Sequence, residues 1–283
     1  MRRWSRTWSI TGGSRSGPSI EGPKDTWASG LHYEPFIGRW SRKVAAEFLA
    51  WISLPPGSRV LDVGCGTGAL SQSVLQNTSP GSVTGIDPSP EFVSFARQQI
   101  PDQRATFKVG SAESMEFPDA AFNATLSALV LNFVPHPDLA VAEMRRVTLA
   151  SGFVAAYLWD YSGRMELLRY FWDAAGSLDE RALELDEGRR FPLCRPEPLR
   201  QLFDSAELRN VEVRPIDIDT VFRDFNDYWD PILGGQGPAP GYAMSLTEGR
   251  REELRDRIRG TLPVSGDGSI RLTARAWAVR GTP

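Results

Sequence analysis

One segment constrains this chain more than any other: Val60-Leu61-Asp62-Val63-Gly64-Cys65-Gly66-Thr67-Gly68. An apolar run of strand length meets closely spaced glycines and passes into residues 69–76, whose pattern suits a helix. Glycine lets a backbone turn sharply and lets a ligand approach the main chain closely. A strand, a glycine loop and a helix open a βαβ unit. In open parallel sheets, ligands bind beyond the carboxyl ends of the strands, where the strand order reverses.

The rest of the chain extends that pattern. Strands are expected at 59–63, 83–86, 105–109, 122–131 and 153–159. Helices are expected between them at 69–76, 88–100 and 139–147, with one before them at 34–52. Ser89 is spaced as an N-cap, with Pro90 in the first helical position. Strands alternating with helices imply a parallel sheet with right-handed crossovers and helices on both faces. Beyond Asp160 the alternation weakens. Helices are expected at 165–185, 197–206 and 246–262, and strands at 211–221 and 270–279. An aromatic, glycine- and proline-rich loop is expected at 225–240.

Composition narrows the function classes. The chain has 283 residues and a net charge of −3, so no basic field favours nucleic acid. No apolar run is long enough to span a bilayer. Cys65 and Cys194 lie far apart and in different contexts, which supports neither a disulfide framework nor a metal cluster and suits a reduced, cytoplasmic setting. Residues 1–25 are rich in Arg, Ser and Gly and read as a disordered tail. A transit peptide shares that bias, but no clear apolar face is present.

Two acids carry the chemistry. Asp62 precedes the glycine loop. A pyrophosphate seeks free backbone N–H groups and the positive end of a helix, so a carboxylate beside that loop opposes it. A ligand bringing cationic groups there is favoured instead. The alternative is that Asp62 points away and caps a backbone amide. Asp87 ends the second strand, where a carboxylate accepts both hydroxyls of a ribose. Nicotinamide enzymes use the same device, and Gly64, Gly66 and Ala69 satisfy the looser dinucleotide fingerprint. Asp87 therefore indicates adenosine without choosing the cofactor. Its alternative role is to form a turn before Pro88.

The stretch from Val60 to Gly68, followed by Gly85-Ile86-Asp87-Pro88-Ser89, resembles the first two motifs of the class I S-adenosylmethionine-dependent methyltransferases. The likeness runs from about Trp27 to Trp159 and is weaker beyond. It implies an α/β, Rossmann-like, doubly wound and mostly parallel sheet with an antiparallel last strand. Cap or lid segments fall near 26–53, 162–195 and 223–263 of a domain over 26–283. The resemblance implies that Asp62, Gly64, Cys65, Gly66 and Gly68 line the methionine and ribose end of S-adenosylmethionine. It also implies that Asp87 holds the ribose and that Pro88 packs near the adenine. Gly110-Ser111-Ala112-Glu113 aligns with the adenine-binding region, where the family commonly has Asp at the position of Ser111. Ser111 or Glu113 would replace that contact, with the backbone near Ala112 bonding the ring. Ala128 and Leu129 would face the cofactor from the end of the fourth strand.

Trp27 to Ser41 resembles the N-terminal cap of a subset of this family, in which an aromatic ring and an Arg close over the cofactor. Tyr33 and Arg39 would reach the methionine carboxylate. The alternative makes Phe36 and Trp40 core and Arg39 a surface residue. Trp159, Tyr161, Tyr228 and Trp229 are candidates for an aromatic acceptor pocket. His32 is a weak candidate for a base, and His136 reads as a loop residue. No catalytic residue and no metal ligand are assigned. The reaction expected is direct displacement, with the chain supplying position and a dry site to a small-molecule acceptor. A nicotinamide-dependent oxidoreductase and a non-catalytic cofactor-binding protein are the rival readings. The acceptor itself and the oligomeric state are not legible in the sequence.

Overall fold

In the computed structural model, the described residues are 34–234 and 237–283. The expected tail, His32 and Tyr33 lie outside them.

A π-helical turn, Glu34–Gly38, leads into helix α1, Arg39–Ile52. The apolar stripe of α1 is buried: Trp40, Val44, Phe48 and Ile52 recur every four residues. Ser53 ends the helix in the left-handed region at φ 50°, its N–H bonded to the Leu49 carbonyl. Strand β1, Arg59–Val63, then enters the centre of the sheet and is buried on both faces. Helix α2 (Ala69–Asn77), β2 (Ser82–Asp87), α3 (Pro90–Gln99), β3 (Ala105–Val109) and β4 (Phe122–Ala128) follow. Ser89 caps α3 by accepting the Phe92 N–H at 3.2 Å. Helix α4 (Pro137–Val147), β5 (Thr148–Trp159) and α5 (Glu166–Leu178) lead to a one-turn helix α6 (Glu187–Arg190) and to α7 (Pro196–Ser205). Strand β6 (Arg209–Phe222), helices α8 (Phe225–Trp229), α9 (Pro238–Ser245) and α10 (Glu248–Thr261), and strand β7 (Ile270–Thr282) complete the chain.

The seven strands form one sheet in the order β3-β2-β1-β4-β5-β7-β6. Strands β1 to β5 pair in parallel, and the order reverses between β1 and β4. Strand β7 slots between β5 and β6 and is antiparallel to both, as expected of the last strand. Register at the upper end of the sheet pairs Ala128 with Tyr157, and Trp159 with Ala276.

Three expectations need correction. The fourth strand stops at Ala128 rather than running to 131, because Leu129 adopts φ 62° and the chain turns into a 3₁₀ turn, Leu131–Phe133. The helix expected over 165–185 breaks at Asp179, whose side chain accepts the Arg181 N–H and starts a separate turn, Glu180–Glu184. Most of the loop expected at 225–240 is helical. Asp224 caps α8 by accepting the Asp227 N–H at 2.9 Å, and Pro238 occupies the first position of α9, where a missing N–H costs nothing. Glycine and proline mark the ends of helices here, not an irregular loop.

Candidate functional site

A cavity of about 610 Å³ opens at the carboxyl ends of β1 to β5, at the point of strand reversal. That volume falls within the usual span of small-molecule pockets. Asp62, Gly64, Cys65, Gly66, Asp87, Pro88, Ser111, Ala112, Glu113, Ala128 and Leu129 all line it, so most of the residues expected to hold the cofactor converge. Gly68 does not line it and instead occupies the turn into α2 at φ 89°.

The glycine loop is shaped by what surrounds it. Gly64 sits at φ 73°, and a Cβ there would lie 2.4 Å from a methyl of Val130. Any larger residue would be strained and would push the β4 exit away from the loop. The Gly64 and Cys65 N–H groups both donate to the Ile86 carbonyl, tying the loop to β2. Burial pushes the Cys65 thiol up, so it is an unreactive wall residue.

Asp62 does two things at once. Its Oδ2 accepts the Ser71 N–H at 3.0 Å and the Ser71 hydroxyl at 2.7 Å, satisfying a first-turn amide of α2. Its Oδ1 is buried and has no partner among the described residues. The cap expected as the alternative and an oxygen free for a ligand therefore coexist in one carboxyl group. Burial raises the Asp62 pKa to about 6, with the Ser71 bonds pulling the other way and Asp87 adding to the rise. Such a group favours a cationic partner.

Asp87 accepts the Ser89 N–H on Oδ1 and the Gly66 N–H on Oδ2, both at 2.9 Å. Burial raises its pKa, and these two bonds oppose the rise. A carboxylate has about four acceptor positions, so two remain for hydroxyls of a ligand. Ser111 accepts the Glu113 N–H, and Glu113 accepts the His136 N–H at 2.8 Å, joining the β3 and β4 exits across the cavity rim.

The other end of the cavity is lined by Trp159, Tyr161, Leu168, Glu187, Phe133 and Pro238. Trp159 and Tyr161 were expected here. Tyr228 and Trp229 were too, but they do not line the cavity. Both are buried, the Tyr228 hydroxyl donates to the Leu167 carbonyl at 2.7 Å, and Trp229 stacks on Phe225. Arg39 also lies outside the lining. Its guanidinium donates to the Asp227 carboxylate at 2.9 Å and to the Asp227 carbonyl at 3.0 Å, joining α1 to α8. Glu187 was not anticipated. It sits among many acids in 179–187, and nothing in its local pattern separates it from a solvated one.

Residues 61–156 match the family model described as a methyltransferase domain. The 2-methyl-6-phytyl-1,4-hydroquinone methyltransferase of Synechocystis sp. is 34% identical over 122 residues, covering 43% of this chain and 38% of that protein. The ubiquinone/menaquinone biosynthesis C-methyltransferase UbiE of Burkholderia orbicola is 31% identical over 143 residues, covering 48% of this chain and 55% of the relative. The chain thus spans about half, or less, of the length of these relatives. Among solved structures, Haemonchus contortus phosphoethanolamine N-methyltransferase 2 in complex with S-adenosyl-L-methionine shares the fold. Its TM-score is 0.55 at 15% identity, over 89% of this chain and 56% of that one. The stretch that matches a methyltransferase domain runs from β1 through most of β5 and supplies the walls around Asp62 and Asp87.

Proposed function

We propose that the protein transfers a methyl group from S-adenosylmethionine to a small, largely apolar acceptor. The observation that carries this reading is the buried, unpartnered Oδ1 of Asp62 in a residue that lines the cavity. An oxygen in that state fits a cationic donor such as an α-ammonium, and a pyrophosphate is disfavoured there. Asp62 would receive the ammonium, and Asp87 would receive the ribose hydroxyls. Pro88 and the Ser111-Ala112-Glu113 turn would border the adenine, with Ala128 and Leu129 below. S-adenosylmethionine supplies an electrophilic methyl on a sulfonium. The chain holds the two reactants in line and keeps water out.

The far end of the cavity is aromatic and aliphatic, which suits an apolar acceptor. Two of the relatives are named for aromatic or quinone substrates, which supports a small molecule in that role. A net charge of −3 disfavours nucleic acid. Among the described residues, no helix is long and apolar enough to cross a membrane. The buried, unpaired thiols of Cys65 and Cys194 are compatible with a cytoplasmic location.

Calorimetric titration with S-adenosylhomocysteine and with NAD tests this reading. Binding of the first at micromolar concentrations, with no measurable heat from the second, is expected. Binding of NAD with no response to S-adenosylhomocysteine would overturn it.

A further inference from the structure

The acceptor end of the cavity has polar equipment that methyl donation alone does not require. Glu187 lies at the start of α6 and lines the cavity although it is 4% exposed. It is brought there by Gly188, where a Cβ would lie 2.9 Å from the Ser162 Cα and 3.0 Å from the Tyr161 carbonyl oxygen. Only glycine lets α6 press this closely on the chain leaving β5. The position is then fixed from both sides. Asp186 accepts the Gly188 N–H at 2.8 Å and pairs with Arg169 of α5, and the Trp172 indole N–H, also on α5, donates to Glu187 Oε2. Trp159 also lines the cavity, and its Nε1 is buried with no partner among the described residues. One apolar space is therefore bordered by a residue bearing a carboxyl group and by a residue bearing an unmatched N–H donor. A hydroxyl is the small group that donates to the first while accepting from the second.

Resting on the methyl-transfer reading above, we propose that the acceptor is an aromatic hydroxyl compound and that Glu187 takes its hydroxyl proton during transfer. The O–H bond breaks and the proton passes to the Glu187 carboxylate. The electron pair released, on oxygen or delocalised to a ring carbon, forms the new bond to the methyl carbon. The old methyl–sulfur pair stays on sulfur as a neutral thioether. The proton is then lost to water, directly for O-methylation; for ring methylation the ring C–H proton leaves as well and the hydroxyl regains one. The net products are methylated acceptor, S-adenosylhomocysteine and one proton.

The surroundings support this role. Burial raises the Glu187 pKa to about 7, with the Trp172 bond and its own backbone N–H opposing the rise. Asp186 adds to the rise and Arg169 reduces it. Asp160, Cys194 and Tyr161 also lie near this corner, as does Arg195, which donates to the Gly188 carbonyl at 3.4 Å; burial keeps the Cys194 thiol protonated. A base that titrates near neutrality is matched to proton transfer at that pH.

The test uses the full chain saturated with S-adenosylhomocysteine and two probes, 2-naphthol and its methyl ether. Both fit an apolar site and both accept a hydrogen bond, but only the naphthol donates one. Their affinity ratio is measured at about pH 6 and about pH 8, either side of the Glu187 value, where a phenol stays largely protonated. The preference for naphthol should rise by roughly tenfold across that range in the native protein, as a charge-assisted bond replaces a neutral one. It should stay flat in Glu187→Gln, which keeps an acceptor for Trp172. Trp172→Phe removes a bond that favours the carboxylate, and should move the midpoint to higher pH. That second variant decides the matter if Glu187→Gln does not fold. A pH-independent ratio in the native protein, or binding of neither probe, overturns the proposal while leaving the methyl-transfer reading intact. Failure of S-adenosylhomocysteine to bind overturns that reading instead.

Discussion

Asp62 and Ser71 are joined by two hydrogen bonds to a single carboxylate oxygen, 3.0 Å from the amide and 2.7 Å from the hydroxyl. The pairing fixes the Asp62 rotamer before any ligand arrives and leaves Oδ1 with no partner among the described residues. If Oδ1 receives an ammonium, Asp62→Asn should weaken S-adenosylhomocysteine binding by about 1.5–3 kcal/mol, the scale of a hydrogen bond to a charged group. Affinity for the native protein should also fall as pH drops through about 6, because the protonated acid no longer attracts the cation. The Asn variant should lack that dependence. Calorimetry across pH measures both, and a native profile that is flat from about pH 5 to about pH 7.5 would refute the assignment.

Asp87 is built differently, with one backbone N–H on each oxygen. Asp87→Ala should reduce cofactor affinity by about 1–3 kcal/mol. It also strands two amides, so thermal stability should fall with it. Asp87→Glu should be partly tolerated. Unchanged S-adenosylhomocysteine affinity in a folded Asp87→Ala protein would show that the acid serves the loop alone.

Trp229 belongs to the packing of the helical insertion. It stacks on Phe225 at 6.4 Å between ring centroids, and the Arg259 guanidinium covers the Phe225 ring at 4.9 Å. Trp229→Ala should cost about 3–5 kcal/mol of stability, as truncation of a buried aromatic does. Turnover per folded molecule should change little. A thermal melt close to native with strongly reduced turnover would instead indicate a closing lid.

Two buried carboxyls set a pH trend in stability. Asp62 rises from 3.8 to about 6 and Glu187 from 4.5 to about 7, each chiefly through burial. Between their ordinary and folded values, the folded chain keeps protons that the unfolded chain has released. The associated stability is therefore present at low pH and is lost as pH rises through about 6 and about 7. Each group contributes on the order of 3 kcal/mol. Glu187→Gln, which needs no proton, should gain stability relative to the native protein at about pH 8 compared with about pH 5. Thermal melts at both pH values check this, and an equal offset at the two would exclude it.

The half of the molecule that holds Asp62 and Asp87 was legible because local patterns there are strong. An apolar strand, a glycine turn and a capped helix leave few alternatives, and Gly64 and Ser89 do in the fold what their spacing suggests. The half beyond Trp159 was not, because its contacts are distant in sequence. Arg39 meets Asp227 across 188 positions, so no local pattern reveals that its charge is already engaged. Tyr228 and Trp229 read as candidates for the acceptor pocket, and only packing assigns them to the core. Glu187 is singled out only by Gly188 and by Trp172 from another helix.

The segment between β6 and β7 leaves and rejoins the sheet at one rung, where Phe222 pairs with Ile270. Its two feet are clamped side by side by a ladder that extends from Phe222 towards Arg209 and owes nothing to what lies between them. Lengthening or exchanging such a hairpin-like excursion costs closure entropy that grows only logarithmically. It transmits no slip to the strands. Among the described residues, the excursion contributes only Gly237 and Pro238 to the cavity lining. On the methyl-transfer proposal, substrate preference can therefore diverge within this module while the walls around Asp62 and Asp87 are kept, provided that the Asp227 carboxylate still holds Arg39 and the Tyr228 hydroxyl still meets Leu167.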